Sequence, residues 1–250
     1  MRHHAISGAI GCCLALAPLL GHTQDPGVAT LEPVGEQQTG IWVTSYGGGG
    51  PSFNVDAIEF LPWAEGLFNT RQEHDLEPHA RCKASGAVRQ FLTPYGVEIV
   101  EIDELKRIYI FDIGGPHTFR EIFMDGRGHP DNLLPSNYGH NIGWWDGDTL
   151  IVDSVGYNED FWFERAGIPH TENAHVVEYF RRNDADTIEY RFVMEDPTAY
   201  QSPVEGTLTM TWREGEELFE YVCQQSNYAF DLMVNPEPLR AIGKSSAIVP

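Results

Sequence analysis

The stretch GHNIGWWDGDTLIVDSVGYN, from Gly139 to Asn158, decides how the chain folds. Asp146-Gly147 separates two runs, HNIGWW and TLIVDSV, in which apolar residues alternate with polar ones. Asp-Gly between such runs is among the strongest short-range hairpin signals, because the tight turn needs positive φ at its centre. A two-residue reversal at Asp146–Gly147 sets Trp145 opposite Asp148, Ile142 opposite Ile151 and His140 opposite Asp153. Alternation then places His140, Ile142, Trp144, Thr149, Ile151 and Asp153 on one face of the sheet.

Outward from this hairpin, the strand signals continue on both sides. RQFLTP, GVEIVEIDE, KRIYIFDIG and TFREIFMDG precede it, and HVVEYFRR, TIEYRFVMED, GTLTMTWREG and ELFEYVCQQS follow. Short turn signals separate several of them, at Asp125-Gly126, at 183–186 (NDAD) and at 213–216 (REGE). Successive strands joined by tight turns predict an antiparallel meander, and ten or so strands have to curl into a barrel or a sandwich. Gly40-Ile41-Trp42 looks like the G-x-W opening of lipocalin-type barrels. The expected fold is therefore all-β: a meander closing into a lipocalin-like β-barrel around an interior cavity. One short N-terminal helix is expected from Ile58, Leu61, Trp63, Leu67 and Phe68, interrupted near Pro62.

The ends of the chain read differently. Arg2 precedes the apolar AISGAIGCCLALAPLL, and GHTQD then turns polar, which is the order of a secretory signal peptide over residues 1–23. The apolar run is shorter than the roughly 20 residues a membrane-spanning helix needs. Residues 24–38 read as a flexible polar arm, and 39–250 as a single barrel domain in a periplasmic or secreted protein. Without the leader, 15 Lys and Arg face 37 Asp and Glu. Such a surface repels nucleic acid and anionic lipid, and it favours a small-molecule partner without membrane insertion. Cys82 and Cys223 are the thiols left after the leader is removed. In an oxidising compartment they are expected to form one disulfide, with buried free thiols as the alternative.

Chemistry gathers around the hairpin. Asp153 interrupts an apolar strand and needs a partner if buried, and His140 is the partner this register supplies. A His–Asp pair fixes one tautomer and raises the basicity of the free ring nitrogen, which suits a general base or a metal ligand. The same pair also serves as a plain structural staple. Seven histidines lie beyond the leader: His74, His79, His117, His129, His140, His170 and His175. His129, in GRGHP, precedes the hairpin, and His170, in GIPH, and His175 follow it. These four are expected to converge with Asp153 at one barrel end. Two or three of them with Asp153 would suffice for a divalent metal such as zinc or manganese, although neither HExxH nor HxH is present. A metal-free set would perform acid–base chemistry. Trp144, Tyr157 and Asn158 are candidates to bind substrate, with Trp144, Tyr157, Trp162 and Phe163 lining an apolar pocket.

The segment from His129 to about Asn227 resembles a large uncharacterised family of exported bacterial proteins. The residues that carry the resemblance are HPDNLLPSNYGHNIGWWDGDTLIVDSVGYN, GIPHTENAHVVEYFRR, DTIEYRFVMEDPTAY and YVCQQSN. The shared wording has the form GHxIGxWxGDTLxVDTxGxN followed by GxPHxxxxHVVExFRR. It implies export and marks His129, His140, Asp153, Asn158, His170 and His175 as shared polar positions, but it implies no reaction. Asn141, Trp144 and Asp146 depart from the wording, which has Ser, Arg and Glu there. Two functions are expected to compete. One is an exported lyase, isomerase or hydrolase with His140 as base, Asp153 orienting it, and His129, His170 and His175 as acid, anion-binding groups or metal ligands. The other is a lipocalin-like carrier of an apolar molecule without catalysis.

Overall fold

The computed structural model describes residues 30–31, 40–44, 54–72, 77–113, 118–221 and 223. The expected leader and most of the expected arm lie outside these residues. Of the arm, Thr30 and Leu31 are described. Leu31 is fully buried, and both residues hydrogen-bond the Glu101 carboxylate.

Nine strands form one closed barrel: β1 (Gly40–Thr44), β2 (Val97–Ile102), β3 (Arg107–Asp112), β4 (Thr118–Phe123), β5 (His140–Asp146), β6 (Thr149–Val155), β7 (His175–Asp184), β8 (Thr187–Glu195) and β9 (Val204–Glu214). Each strand pairs with its neighbour in sequence, and β1 closes the barrel against β9 through five residue pairs, among them Trp42↔Trp212. This is the all-β barrel expected from the alternation. The helix is present as α1 (Pro62–Gln72), and Pro62 opens it rather than interrupting it. Proline suits the first helical position, where its missing N–H has no partner to lose. The preceding residues form a separate 3-10 turn over Val55–Ala57. The disulfide joins Cys82 to Cys223, with Cα atoms 5.4 Å apart. No helix among the described residues is long and apolar enough to cross a membrane.

Three expectations need correction. First, RQFLTP is not a strand. Val88–Leu92 forms a 3-10 turn in which Val88, Arg89, Gln90 and Phe91 are all buried. A half-buried strand would expose every second residue. Here Phe91 instead enters the barrel, with its ring 5.6 Å from Phe180 and 4.8 Å from Tyr190. Second, the start of ELFEYVCQQS does not return as a strand. Beyond β9, Gly215 turns the chain at φ 74°, and Phe219 and Tyr221 pack on Tyr95. Third, Asp125-Gly126 does not make a hairpin. β4 and β5 are parallel neighbours, joined by Ile122↔Asn141 and Phe123↔Ile142 alone. Parallel strands need a crossover. Met124–Gly139 supplies it as irregular chain, and this detour carries His129.

Among the described residues, the interior is packed with side chains. Trp42, Ile110, Ile122, Leu150, Val152, Phe180, Ile188, Tyr190 and Met210 are all buried, and Arg120 and Glu178 lie among the buried residues. Among the described residues, packed side chains and a buried ion pair stand where a ligand cavity was expected. A small apolar cleft of about 10 Å³ is lined by Val88, Leu92, Phe163, Phe192, Met194 and Leu208. That is room for about one water molecule.

Candidate functional site

The hairpin forms, but its register differs by two residues from the sequence reading. Asp146 pairs with Thr149, so the reversal is Gly147–Asp148 and not Asp146–Gly147. Gly147 takes φ 63° and Asp148 does not have positive φ. That matches the hairpin turn with glycine at its first central position. Asp153 therefore faces Ile142, and His140 faces Val155. A shift of two preserves side-chain parity, so the expected common face survives. It is the outer face of the barrel: His140 and Asp153 are half-buried, while their neighbours Asn141 and Ser154 point inward and are buried. The cluster thus lies on the outer face of the wall rather than in the interior, and it stands at one end of the barrel: His140 opens β5, Asp153 lies near the end of β6 and His175 opens β7.

His129 joins what the new register separates. The crossover lays its ring over β5 and β6, with Nδ1 2.7 Å from His140 Nδ1 and Nε2 3.1 Å from Asp153 Oδ1. From β7, His175 Nε2 reaches the same oxygen at 3.0 Å. His175 Nδ1 lies 3.9 Å from Glu195 Oε2, its cross-strand neighbour on β8. The result is a chain His140–His129–Asp153–His175. His140 is further held by Phe123, whose ring lies parallel to it at 5.0 Å. Arg107 and Arg127 lie over the Phe123 ring, at 4.3 and 4.1 Å.

The chain assigns its own tautomers. Asp153 Oδ1 accepts, so His129 and His175 donate through Nε2–H. A neutral His129 then presents a bare Nδ1, and His140 has to donate through Nδ1–H. That leaves His140 Nε2 as a free lone pair. Burial, the neighbouring His129 and Arg127 lower the His140 pKa. The hydrogen bond to Asp153 raises the His175 pKa against partial burial. Asp153 is held below the usual carboxylate range by its hydrogen bond to His175, with His129 adding to the effect.

The remaining expected residues lie elsewhere. His170 does not join the cluster. It is buried between Phe161 and Phe163, at 4.4 and 4.6 Å, and its Nε2 donates to the Asn158 carbonyl at 2.7 Å. Asn158 closes the same loop, with its side chain donating to Asn137 Oδ1 at 3.0 Å and accepting from the Asp160 N–H at 3.1 Å. Tyr157 is wholly buried against Phe161 and Phe163, a core residue with no surface for a ligand. Trp144 shares the outer face and is 44 % exposed. Among the described residues no group of three or more His, Cys, Asp or Glu side chains is arranged to hold a metal ion.

Sequence reasoning missed the polar network on the inner side of the wall. Arg120 Nε donates to Asn141 Oδ1 at 2.9 Å, Nη2 to Ser154 Oγ at 2.9 Å and Nη1 to Glu178 Oε1 at 2.8 Å. Tyr190 also donates to Glu178, at 2.7 Å. The signal was present: Glu178 sits between Val176 and Phe180 in an alternating strand, on the apolar parity.

Comparison of the chain with protein-family models, with curated proteins and with solved structures finds no match. What the protein does has to be argued from this geometry.

Proposed function

We propose that the protein is an exported small-molecule enzyme of the lyase, isomerase or hydrolase type, working by acid–base chemistry at the outer-face cluster. The observation that carries this reading is one carboxylate with two unlike histidine arms. On one arm His140 is biased towards its neutral form and keeps a bare Nε2, so it is the base. His129, anchored by Asp153, holds its tautomer and delocalises the charge it gains, the role a third group plays in a catalytic triad. On the other arm His175 holds its proton more tightly and serves as the acid. Neighbouring titratable groups whose environments push their pKa values apart are the usual mark of such a division of labour.

Export agrees with the disulfide, since such bonds persist in oxidising compartments. The resemblance to an exported family belongs to the same reading. A carrier of apolar ligands draws less support, because the charged Arg120 and Glu178 are buried in the barrel among aromatic side chains. The test is a turnover screen over esters, lactones and carbonyl compounds with an acidic α-hydrogen. For any substrate found, His140→Ala is expected to lower kcat by about 10²–10⁴-fold with an unchanged near-UV circular dichroism spectrum. Turnover that survives in the folded variant refutes the assignment.

A further inference from the structure

The outer cluster and the inner network are two sides of one wall. Outside, His129 leaves β4 by the crossover, His140 stands on β5, Asp153 on β6, His175 on β7 and Glu195 on β8. Inside, the same strands contribute Arg120, Asn141, Ser154, Glu178 and Tyr190 in the same order. His140 and Asn141 are consecutive residues, as are Asp153 and Ser154. Consecutive side chains of a strand project to opposite faces, so each pair shares one peptide unit.

We propose that Arg120 and Glu178 are positioning residues, an internal clamp that sets the strand spacing on which the outer hydrogen-bond chain depends. The weakest seam of this wall is β4–β5, with two residue pairs. Arg120 crosses it to reach Asn141, and Asn141 Nδ2 returns across it to the Glu121 carbonyl at 3.0 Å. The guanidinium then continues to β6 and β7, and Ser154 Oγ donates to Asn141 Oδ1 at 2.8 Å. Stability alone is a poor reason to keep such a group. A buried ion pair can often be replaced by apolar residues of similar volume at no loss. Geometry is a better reason, because a constellation of acid and base has to be held to within about 0.5 Å by the shell behind it. The functional meaning rests on the acid–base reading above, but the positional claim does not.

The test reads the imidazoles directly. In the wild type, at a pH where the imidazoles are neutral, two-bond ¹H–¹⁵N spectra are expected to show His129 and His175 as Nε2–H tautomers and His140 as Nδ1–H. Arg120→Met/Glu178→Leu removes both charges and keeps the volume. In this folded variant His140 is expected to lose its Nδ1–H form, the tautomer less favoured by a free imidazole, and turnover to fall about 10²-fold. Ser154→Ala is the milder second variant, expected to shift the same signals should the double variant fail to fold. Unchanged tautomers in a folded variant overturn the proposal. Shifted tautomers with undiminished turnover uphold the clamp and refute the acid–base reading instead.

Discussion

His175 Nε2 donates to Asp153 Oδ1 at 3.0 Å diagonally across the β6–β7 ladder, since Asp153 is itself paired with Val177. Diagonal neighbours stay within reach of long side chains. The bond lowers the Asp153 pKa and raises that of His175.

The first consequence is a pH window. A lowered carboxylate pKa contributes stability above the ordinary 3.8, and this is lost as pH falls through the folded value. A raised histidine pKa contributes below the ordinary 6.5, and this is lost as pH rises through the folded value. The pair therefore stabilises the barrel most between about pH 4 and 6.5. Asp153→Asn is expected to lower the urea midpoint within that window, to remove the fall on either side of it, and to return the His175 titration towards the ordinary value. An unaltered His175 titration in the variant contradicts the assigned bond.

His170 acts with the opposite sign. Burial, partly opposed by its bond to the Asn158 carbonyl, lowers its pKa to about 4. As pH falls below 6.5 the unfolded chain takes up a proton that the folded form refuses. Stability is thus full above pH 6.5 and declines towards pH 4, by roughly 3 kcal/mol for this group. His170→Gln keeps a donor for the carbonyl and is expected to remove much of that slope in urea titrations at pH 7 and pH 5. An identical slope in the variant assigns the acid sensitivity to other groups.

Gly143 probes the weak seam. A Cβ there would lie 2.8 Å from Ile122 Cγ2 and 2.7 Å from Met124 Sδ. The methionine end can move aside, but the isoleucine methyl is fixed in the core. Gly143→Ala is expected to cost about 1–3 kcal/mol by forcing β5 away from β4. Chemical denaturation measures it, and a neutral result shows that the seam has slack.

The disulfide closes a loop spanning 141 positions of sequence. Its loss in Cys82→Ser/Cys223→Ser is expected to lower stability by about 2–5 kcal/mol, read from unfolding midpoints of the variant against the oxidised protein. The outer cluster lies on strands that the bridge does not touch. Its histidine tautomers are therefore expected to be unchanged, and a change would reveal coupling from the bridge to the far wall.

Much of this was legible in the residues. Eight of the strand runs follow from alternation, because one buried face imposes a period of two wherever a sheet is covered on one side. The face shared by His140 and Asp153 was legible for the same reason, and it survived an error in register because parity is unaffected by a shift of two. Which residue of Asp146-Gly147-Asp148 takes positive φ was not legible, since both arrangements are ordinary hairpins. Nor was the direction of the face. Arg120 and Glu178 reverse the usual rule that the charged side points outward; Glu178 shows on the apolar parity of its own strand, but its pairing with Arg120 joins two strands and cannot be read from either separately.

Local pattern, then, is enough for a β-barrel with one early helix, a Cys82–Cys223 bridge, and a histidine and an aspartate on one side of a hairpin. Assembly of the chain in three dimensions was needed for the rest. The parallel β4–β5 seam forces a crossover, and the crossover places His129 between His140 and Asp153, which the ladder alone holds apart. Strand alternation is set by neighbours a few residues away, whereas a contact made by an irregular loop depends on the path of the whole chain. For that reason the central member of the site was visible beforehand as a candidate but not as the link.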